Sequence, residues 1–215
     1  MSQSKILKPF GPLILHEIIS EDFLKFLNEE SIQILHGGED VGWDLAGNIE
    51  TQLQGALDPK KFMDGIYPYI FNYVQACHDR KGDKLKSISF NCGDGPWFNF
   101  QRKNEFNPVH MHGGQLSCVV MIDVPKVIAT EAEKFKDKSN MPCAGQLEFV
   151  DGPSGYMYTG SYKVVPKTGD IFVFPAQLKH TVYPFKSDVT RLTMSCNIFD
   201  ITISAYYEAV ANVIV

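Results

Sequence analysis

Eight short runs of β-branched and aromatic residues, lying between Ser87 and Phe199, constrain this chain more than any other feature. Gly, Pro and Asp residues stand between the runs. Short strands alternating with turn residues are typical of an all-β sandwich or barrel. The runs are SISFN, WFNFQR, QLSCVVMIDV, GQLEFVD, YKVVP, DIFVFP, HTVYPF and RLTMSCNIF. Because QLSCVVMIDV is too continuously apolar to face water, it is predicted to be a central strand.

The first part of the chain is predicted to be mostly helical. The segment SEDFLKFLNEESIQIL has apolar residues at helical spacing, with Ser20 as its N-cap. A second helix begins after Asp58, with Pro59 at the favoured first position, and Pro68 must kink or divide it. The glycine-rich segment between the helices, HGGEDVGWDLAGNIETQLQGAL, is predicted to be a loop.

These elements predict one domain, mainly β with supporting helices, in which the N-terminal helices pack on one face of a barrel or jelly roll. We expect residues 1–85 to form a helical N-terminal support region and residues 86–200 to form the β core. The C-terminal tail, residues 201–215, fits a helix or a strand. The polar segment 126–140 is expected to be an excursion between strands.

Composition excludes several classes of protein. The 215 residues carry a net charge of −5 without a basic stripe, so no nucleic-acid partner is expected. No apolar run approaches a membrane span or a signal peptide, which predicts a cytoplasmic protein without a membrane partner. The five cysteines show no CxxC spacing, which argues against a zinc ribbon or a disulfide scaffold.

Two of the six histidines stand one residue apart, in the segment NPVHMHGG. On an extended strand, His110 and His112 would present their imidazoles on the same face. A metal would need a further ligand, and His180, which follows an apolar strand and a turn, is the best candidate. In a barrel, the two places could face each other at one mouth. Packed or surface histidines would give the same pattern without a metal.

Arg191 begins an apolar strand eleven residues after His180. Its guanidinium could reach the surface, or it could bind a carboxylate inside the barrel through two parallel hydrogen bonds. Thr193 would share its face and could add a hydroxyl. The sequence therefore suggests a metal site with an anchor for a carboxylate beside it.

Four segments together resemble the iron(II)- and 2-oxoglutarate-dependent oxygenases. They are WFNFQRKNEFNPVHMH, GQLSCVVMIDVP, GDIFVFPAQLKHTVYPF and RLTMSCNIF. The sequence is most similar to a group of such oxygenases in bacteria and tailed phages, including phages of marine cyanobacteria. The similarity covers residues 87 to 200, and the tract G-D-hydrophobic-F-P, then His, then Arg is its most specific part. The resemblance implies a double-stranded β-helix, a distorted jelly roll.

By that resemblance, His110 is the first metal ligand, His180 is the distal ligand, and Arg191 holds the far carboxylate of 2-oxoglutarate. Thr193 occupies a position that often carries a hydroxyl, and Asn99 is expected to line the pocket. The implied cofactors are Fe(II) and 2-oxoglutarate, with molecular oxygen as co-substrate. The implied reaction is hydroxylation, with prolyl hydroxylases as the nearest analogy, of an unknown peptide or small molecule.

The chain departs from the family where a carboxylate ligand usually stands, because this position holds His112. Either three histidines bind the metal, or a carboxylate from Asp123, Glu148 or Asp170 replaces His112. We favour His112, because its spacing already serves the site. Three neutral imidazoles would leave the iron with a higher net charge than a carboxylate triad does.

Two other functions fit parts of this pattern. A cupin-like three-histidine metalloenzyme would not need Arg191, and a non-catalytic binding module would bind no transition metal. The substrate cannot be deduced, and three segments could form a lid: residues 37–55 with Trp43, residues 126–140, and the tyrosine-bearing residues 151–161. Trp97, Phe172 and Phe174 could exclude water or belong to the core. A homo-oligomer is compatible with the sequence, and a phage-encoded protein would act in the host cytoplasm.

Overall fold

The computed structural model describes residues 11–79 and 82–206. Its strands are β1 (Leu15–Ile18), β2 (Glu39–Asp40), β3 (Gln52–Gln54), β4 (Leu85–Asn91), β5 (Trp97–Gln101), β6 (Asn107–His110), β7 (Leu116–Asp123), β8 (Leu147–Val150), β9 (Ser161–Val164), β10 (Asp170–Pro175), β11 (Lys179–Val182) and β12 (Arg191–Tyr206). Its α-helices are α1 (Glu21–Gly37), α2 (Pro59–Asp79) and α3 (Lys126–Lys136).

The strands form two sheets. The major sheet has the order β1-β10-β7-β12-β5-β3-β2, and β4 pairs with the far end of β12. The minor sheet has the order β6-β11-β8-β9. All pairings within the two sheets are antiparallel. This is the predicted architecture, mainly β with supporting helices, and the central position of β7 between β10 and β12 confirms the interpretation of its apolar run.

Helices α1 and α2 lie on one face of the major sheet, as predicted. Ser20 caps α1 by accepting a hydrogen bond from the backbone N–H of Phe23 at 3.2 Å. The Asp58 carboxylate accepts from the backbone N–H of Lys61 at 3.0 Å, at the start of α2. Pro68 lies inside α2, which continues on both sides of it, so the proline does not divide the helix.

Alternation along the strands separates two apolar cores. One face of β5, β7 and β12 packs on the helices, and it includes Phe98, Val120 and Met194. The other face points toward the minor sheet, where a smaller core contains Phe149 and Phe174. The space between the two sheets therefore has an apolar floor at one end, and the remaining inward positions of β5, β7 and β12 are free to line a cavity.

The structure corrects the interpretation of the N-terminal part. The segment predicted to be a loop between the helices contains β2 and β3, and the chain before α1 forms β1, which includes His16. Residues 1–85 thus supply three strands of the major sheet as well as two helices. β3 has no β-branched residue, and it is a strand because it pairs with β5.

The segment 126–140 and the start of the C-terminal tail agree with what the sequence predicts. The excursion at residues 126–140 contains α3. The tail continues β12 as far as Tyr206, and residues 207–215 lie outside the described residues. None of the helices in the described ranges is long and apolar enough to cross a membrane.

Candidate metal centre

Three histidines meet at the edge of the minor sheet. His110 ends β6, and it lies directly opposite His180 of β11 in the antiparallel register. The two residues therefore lie on neighbouring strands of one sheet, whereas the sequence suggested that they would face each other across the mouth of a barrel. His112 lies two residues beyond the end of β6, and its backbone N–H donates to the carbonyl of Ala176 at 2.8 Å. This hydrogen bond fixes the segment that carries the third imidazole.

The imidazoles are close enough to share one ion. The ring centroids of His110 and His180 are 4.2 Å apart, and those of His110 and His112 are 4.9 Å apart. One potential ligand atom from each ring lies within 4.8 Å of the others. The Nε2 atoms of His112 and His180 are 3.2 Å apart. Two such nitrogens face each other either through a shared proton or, with both lone pairs free, across a cation.

Backbone carbonyls select the tautomer of two rings. His110 Nδ1 lies 2.7 Å from the carbonyl oxygen of Pro108, and His180 Nδ1 lies 2.9 Å from that of Leu178. A carbonyl only accepts, so each Nδ1 carries the proton and each Nε2 keeps its lone pair. Donation of the second ring nitrogen to a backbone carbonyl is the arrangement that orients metal-binding histidines.

The site also keeps its imidazoles neutral. Burial, with the neighbouring His110 as a second cause, lowers the pKa of His112 to about 4. Burial, again with His110 as a second cause, lowers the pKa of His180 to about 3. The pKa of His110 is lowered by burial too. Because the neutral imidazole is the form that binds metals, no proton has to be displaced near pH 7.

The histidines open into a cavity between the two sheets. Its polar lining consists of amides and hydroxyls, and Arg191 is its one charged side chain among the described residues, apart from the imidazoles. The lining includes Gln52, Asn99, Gln101, Asn107, Ser117, Thr193 and Ser195. No carboxylate from the described residues lines this cavity.

The carboxylates considered from the sequence are engaged elsewhere. Glu148 accepts a hydrogen bond from the hydroxyl of Tyr183 at 2.5 Å. Asp170 lies 3.0 Å from Nε2 of His16, where β10 pairs with β1, and it does not line the cavity. Asp123 is exposed at the end of β7. The structure therefore brings His112 to the site, and it does not bring these acids there.

Arg191 does not reach the surface, since the residue is only 1% exposed. Burial lowers the pKa of its guanidinium to about 10, which leaves it charged at pH 7. Its Nε donates to Oε1 of Gln101 at 3.0 Å, its Nη2 donates to the same oxygen, and its Nη1 donates to the carbonyl of Gly145 at 2.7 Å. No carboxylate of the described residues lies within ion-pair distance of it.

Asn99 and Thr193 occupy opposed positions on β5 and β12 and line the same cavity. Asn99 donates through Nδ2 to the Thr193 hydroxyl at 3.3 Å and accepts from Nε2 of Gln52 at 2.8 Å. Gln52 and Gln101, which lie beside them in the cavity wall, were not predicted from the sequence. An isolated glutamine carries no motif, and only the register of β5 with β12 and β3 brings these amides into the cavity.

The segment predicted as a lid from residues 37–55 does contribute to the cavity, through Leu45, Ala46 and Ile49. Trp43 itself is 83% exposed and is not part of the lining. The other two candidate lids, residues 126–140 and 151–161, supply no residue to it. Asn107 lines the cavity with a buried Oδ1 that has no hydrogen-bond partner, and this atom faces the backbone of Gly47.

The aromatic residues divide into two groups. The Trp97 ring lies 5.7 Å from that of His112, and Phe174 lies 4.8 Å from His180, with both aromatic residues in the cavity wall. Phe172, two residues before Phe174 on the same face of β10, stacks on His16 with the ring centroids 4.4 Å apart and does not line the cavity. Two of the three predicted aromatic residues therefore shield the histidines, and the third is part of the core.

Part of the chain is similar to a known protein family. Residues 95–197, a little under half of the chain, match a family described as "Putative 2OG-Fe(II) oxygenase", and the matched segment contains the three histidines and Arg191. A search of curated proteins finds no match to this sequence.

Two solved structures share the fold. One is a prolyl hydroxylase from Trichoplax adhaerens in complex with a peptide fragment of the hypoxia inducible factor oxygen degradation domain. It has a TM-score of 0.53 and 11% identity, over 88% of this chain and 84% of that one. AviO1 from Streptomyces viridochromogenes Tue57 has a TM-score of 0.53 and 12% identity, over 87% of this chain and 89% of that one. Their common fold is the double-stranded β-helix, and residues 95–197 of this chain are similar to the iron(II)- and 2-oxoglutarate-dependent oxygenases.

Proposed function

We propose that His110, His112 and His180 bind iron(II), that Arg191 with Thr193 and Asn99 binds 2-oxoglutarate, and that the enzyme hydroxylates a peptide or a small molecule. One observation carries the proposal. Three neutral imidazoles converge at one end of a cavity, and a buried guanidinium without a carboxylate partner among the described residues lies in the wall of the same cavity. A metal and a dicarboxylate would satisfy both features together.

With both cofactors bound, the reaction consumes dioxygen and 2-oxoglutarate, releases succinate and carbon dioxide, and inserts one oxygen atom into a C–H bond of the substrate. The chain contributes orientation and a dry environment. The carbonyls of Pro108 and Leu178 hold two imidazoles with Nε2 toward the ion. Trp97 and Phe174 cover the histidines and keep solvent from them.

Arg191 supports the use of 2-oxoglutarate over a three-histidine enzyme that works without it. Burying an arginine without a counter-ion is costly, and a site that has no anion to bind would gain nothing from that cost. Its two remaining donors suit a carboxylate, which guanidinium groups bind through two parallel hydrogen bonds. Asn99 donates to the Thr193 hydroxyl and accepts from Gln52, and these hydrogen bonds hold the hydroxyl in the wall that also contains Arg191.

The primary substrate would enter under the segment that carries Leu45, Ala46 and Ile49, which are apolar. A mostly apolar entrance with amides behind it suits an uncharged group. The prolyl hydroxylase with the same fold was solved with a peptide, so a peptidyl substrate is the first to test. A homo-oligomer, the cytoplasmic location and the kinship with phage enzymes stay predictions.

The test is anaerobic addition of iron(II) and then 2-oxoglutarate, followed by visible spectroscopy. We expect a weak charge-transfer band that needs both additions, because only a chelate of 2-oxoglutarate on bound iron gives it. The matched variant is His180→Leu, which packs against the same aromatic residues and has no ligand atom. A band that persists in this variant, or that is missing in the unaltered protein, would contradict the proposal.

A further inference from the structure

Gln101 is the side chain that accepts two hydrogen bonds from Arg191. The two residues are direct partners in the register of β5 and β12, and both are buried. Oε1 of Gln101 accepts from Nε at 3.0 Å and also from Nη2 of the guanidinium. One neutral oxygen therefore accepts both hydrogen bonds from the Nε–Nη2 edge of the guanidinium.

Counting donors shows what remains available. A guanidinium has five N–H groups, of which Gln101 takes two and the carbonyl of Gly145 takes one. One N–H is left on each terminal nitrogen. A carboxylate needs two such donors from adjacent nitrogens for a bidentate contact, so Arg191 is left with the right number for one carboxylate.

The orientation of the Gln101 amide is fixed by its other end. Nε2 donates to the carbonyl oxygen of Glu105 at 2.5 Å. If the amide were turned around, Oε1 would face that carbonyl and the NH2 group would face the donors of Arg191. Both contacts would then be repulsive, so only one orientation of the amide is compatible with its surroundings.

The neutrality of Gln101 matters as much as its position. The described residues place no acid in ion-pair contact with Arg191, and the ring of Phe185 lies with its centroid 5.7 Å from Cζ. A glutamate at position 101 could accept from the same edge of the guanidinium, but it would form a buried ion pair and would lose the hydrogen bond to the Glu105 carbonyl. The guanidinium would then be neutralised before any co-substrate arrived.

We propose that Gln101 is a positioning residue, which holds the guanidinium of Arg191 in place without neutralising it and thereby sets the preference of the site for a 2-oxo acid with a second carboxylate. This inference rests on the proposed function, since it assigns a role toward the 2-oxoglutarate that Arg191 would bind. Gln101 acts through Arg191 and has no contact with the reacting atoms.

The experiment compares two 2-oxo acids that would chelate iron in the same way. Pyruvate lacks the distal carboxylate that 2-oxoglutarate carries. Dissociation constants for both are measured by anaerobic titration of the iron(II)-loaded protein, followed by the visible band, in the unaltered protein and in Gln101→Glu. We expect the affinity for 2-oxoglutarate to fall about tenfold or more, and the affinities for pyruvate and iron(II) to stay unchanged.

Two further variants make the result decisive. Gln54→Glu is the matched control, because Gln54 also donates from its amide to a backbone carbonyl, that of Asp94 at 2.6 Å, but lies outside the cavity. It should keep the full preference for 2-oxoglutarate. Gln101→Leu removes the acceptor without adding charge, and it should weaken 2-oxoglutarate alone, by about threefold or more. It provides the test if the glutamate variant does not fold.

The outcomes separate the two claims. If the unaltered protein binds iron(II) but does not prefer 2-oxoglutarate to pyruvate, the proposed function fails, and the role of Gln101 fails with it. If the unaltered protein has the preference and the folded Gln101 variants keep it, only the positioning role is overturned. Equal weakening of both 2-oxo acids would also overturn it, since a merely structural role would have that effect.

Discussion

Lowering the pH should destabilise the metal-free protein strongly, because folding holds two imidazoles in their neutral form. The pKa of His112 is lowered from 6.5 to about 4 and that of His180 to about 3 by burial. In the unfolded chain both would take up protons below about pH 6.5. Stability is therefore fully present above pH 6.5 and is lost as the pH falls toward 4, because the unfolded state binds more protons.

The magnitude follows from the size of the shifts. Between pH 6.5 and pH 5, an interval of about 1.5 pH units, each histidine is protonated in the unfolded chain and still neutral in the folded one. At about 1.4 kcal/mol per unit, each contributes about 2 kcal/mol, and the pair about 4 kcal/mol. With a urea m-value of about 2 kcal/mol/M, the midpoint of unfolding should fall by about 2 M between pH 7.5 and pH 5.

The assay is urea unfolding in the presence of a chelator, followed by circular dichroism at both pH values. Other groups titrate as well, so the double variant His112→Gln/His180→Leu gives the baseline, and it should lose most of the pH dependence. The control is the exposed residue His36, because the variant His36→Gln should keep the pH dependence of the unaltered protein. An equal fall of the midpoint in the double variant and in the unaltered protein would refute the reasoning.

Three further changes have expected outcomes. Arg191→Leu should weaken 2-oxoglutarate binding about a hundredfold and leave the affinity for iron(II) unchanged in anaerobic titrations, because it removes two charge-assisted hydrogen bonds. Gly47→Ala would place a Cβ 2.1 Å from Oδ1 of Asn107 and should cost about 1–3 kcal/mol in urea unfolding, whereas Gly37→Ala meets nothing within 4 Å and should cost nothing. Glu131→Gln should lower the free energy of unfolding by about 1–3 kcal/mol in the same measurement. The Glu131 carboxylate accepts from the backbone N–H groups of Lys186 and Ser187, and the NH2 group of a glutamine cannot accept a hydrogen bond in place of the second oxygen.

Local signals in the sequence predicted the parts of the fold that local chemistry decides. Ser20 and Asp58 cap the helices because their side chains accept from N–H groups three residues ahead, which a sequence shows directly. The run that became β7 is apolar on both faces, which only a central strand requires. The spacing of His110 and His112 likewise led to the pair that the structure brings together.

What escaped prediction depends on pairing between distant segments. β3 has the sequence Gln-Leu-Gln, which has low strand propensity, and it is a strand because β5 offers it a free edge. Gln101 gains its meaning only when the register places it opposite Arg191, 90 residues later in the chain. The positions of Glu148 and Asp170 could not be predicted for the same reason, since their partners Tyr183 and His16 are distant in the chain.

The absence of carboxylates from the described lining of the cavity has an effect on small ions in the medium. A ferrous ion and Arg191 would together bring three positive charges, 2-oxoglutarate would bring two negative ones, and no acid of the described lining balances the excess. A small anion such as chloride or azide should then be attracted into the space beside the metal. Inhibition by salts should accordingly follow the identity of the anion when the ionic strength is held constant.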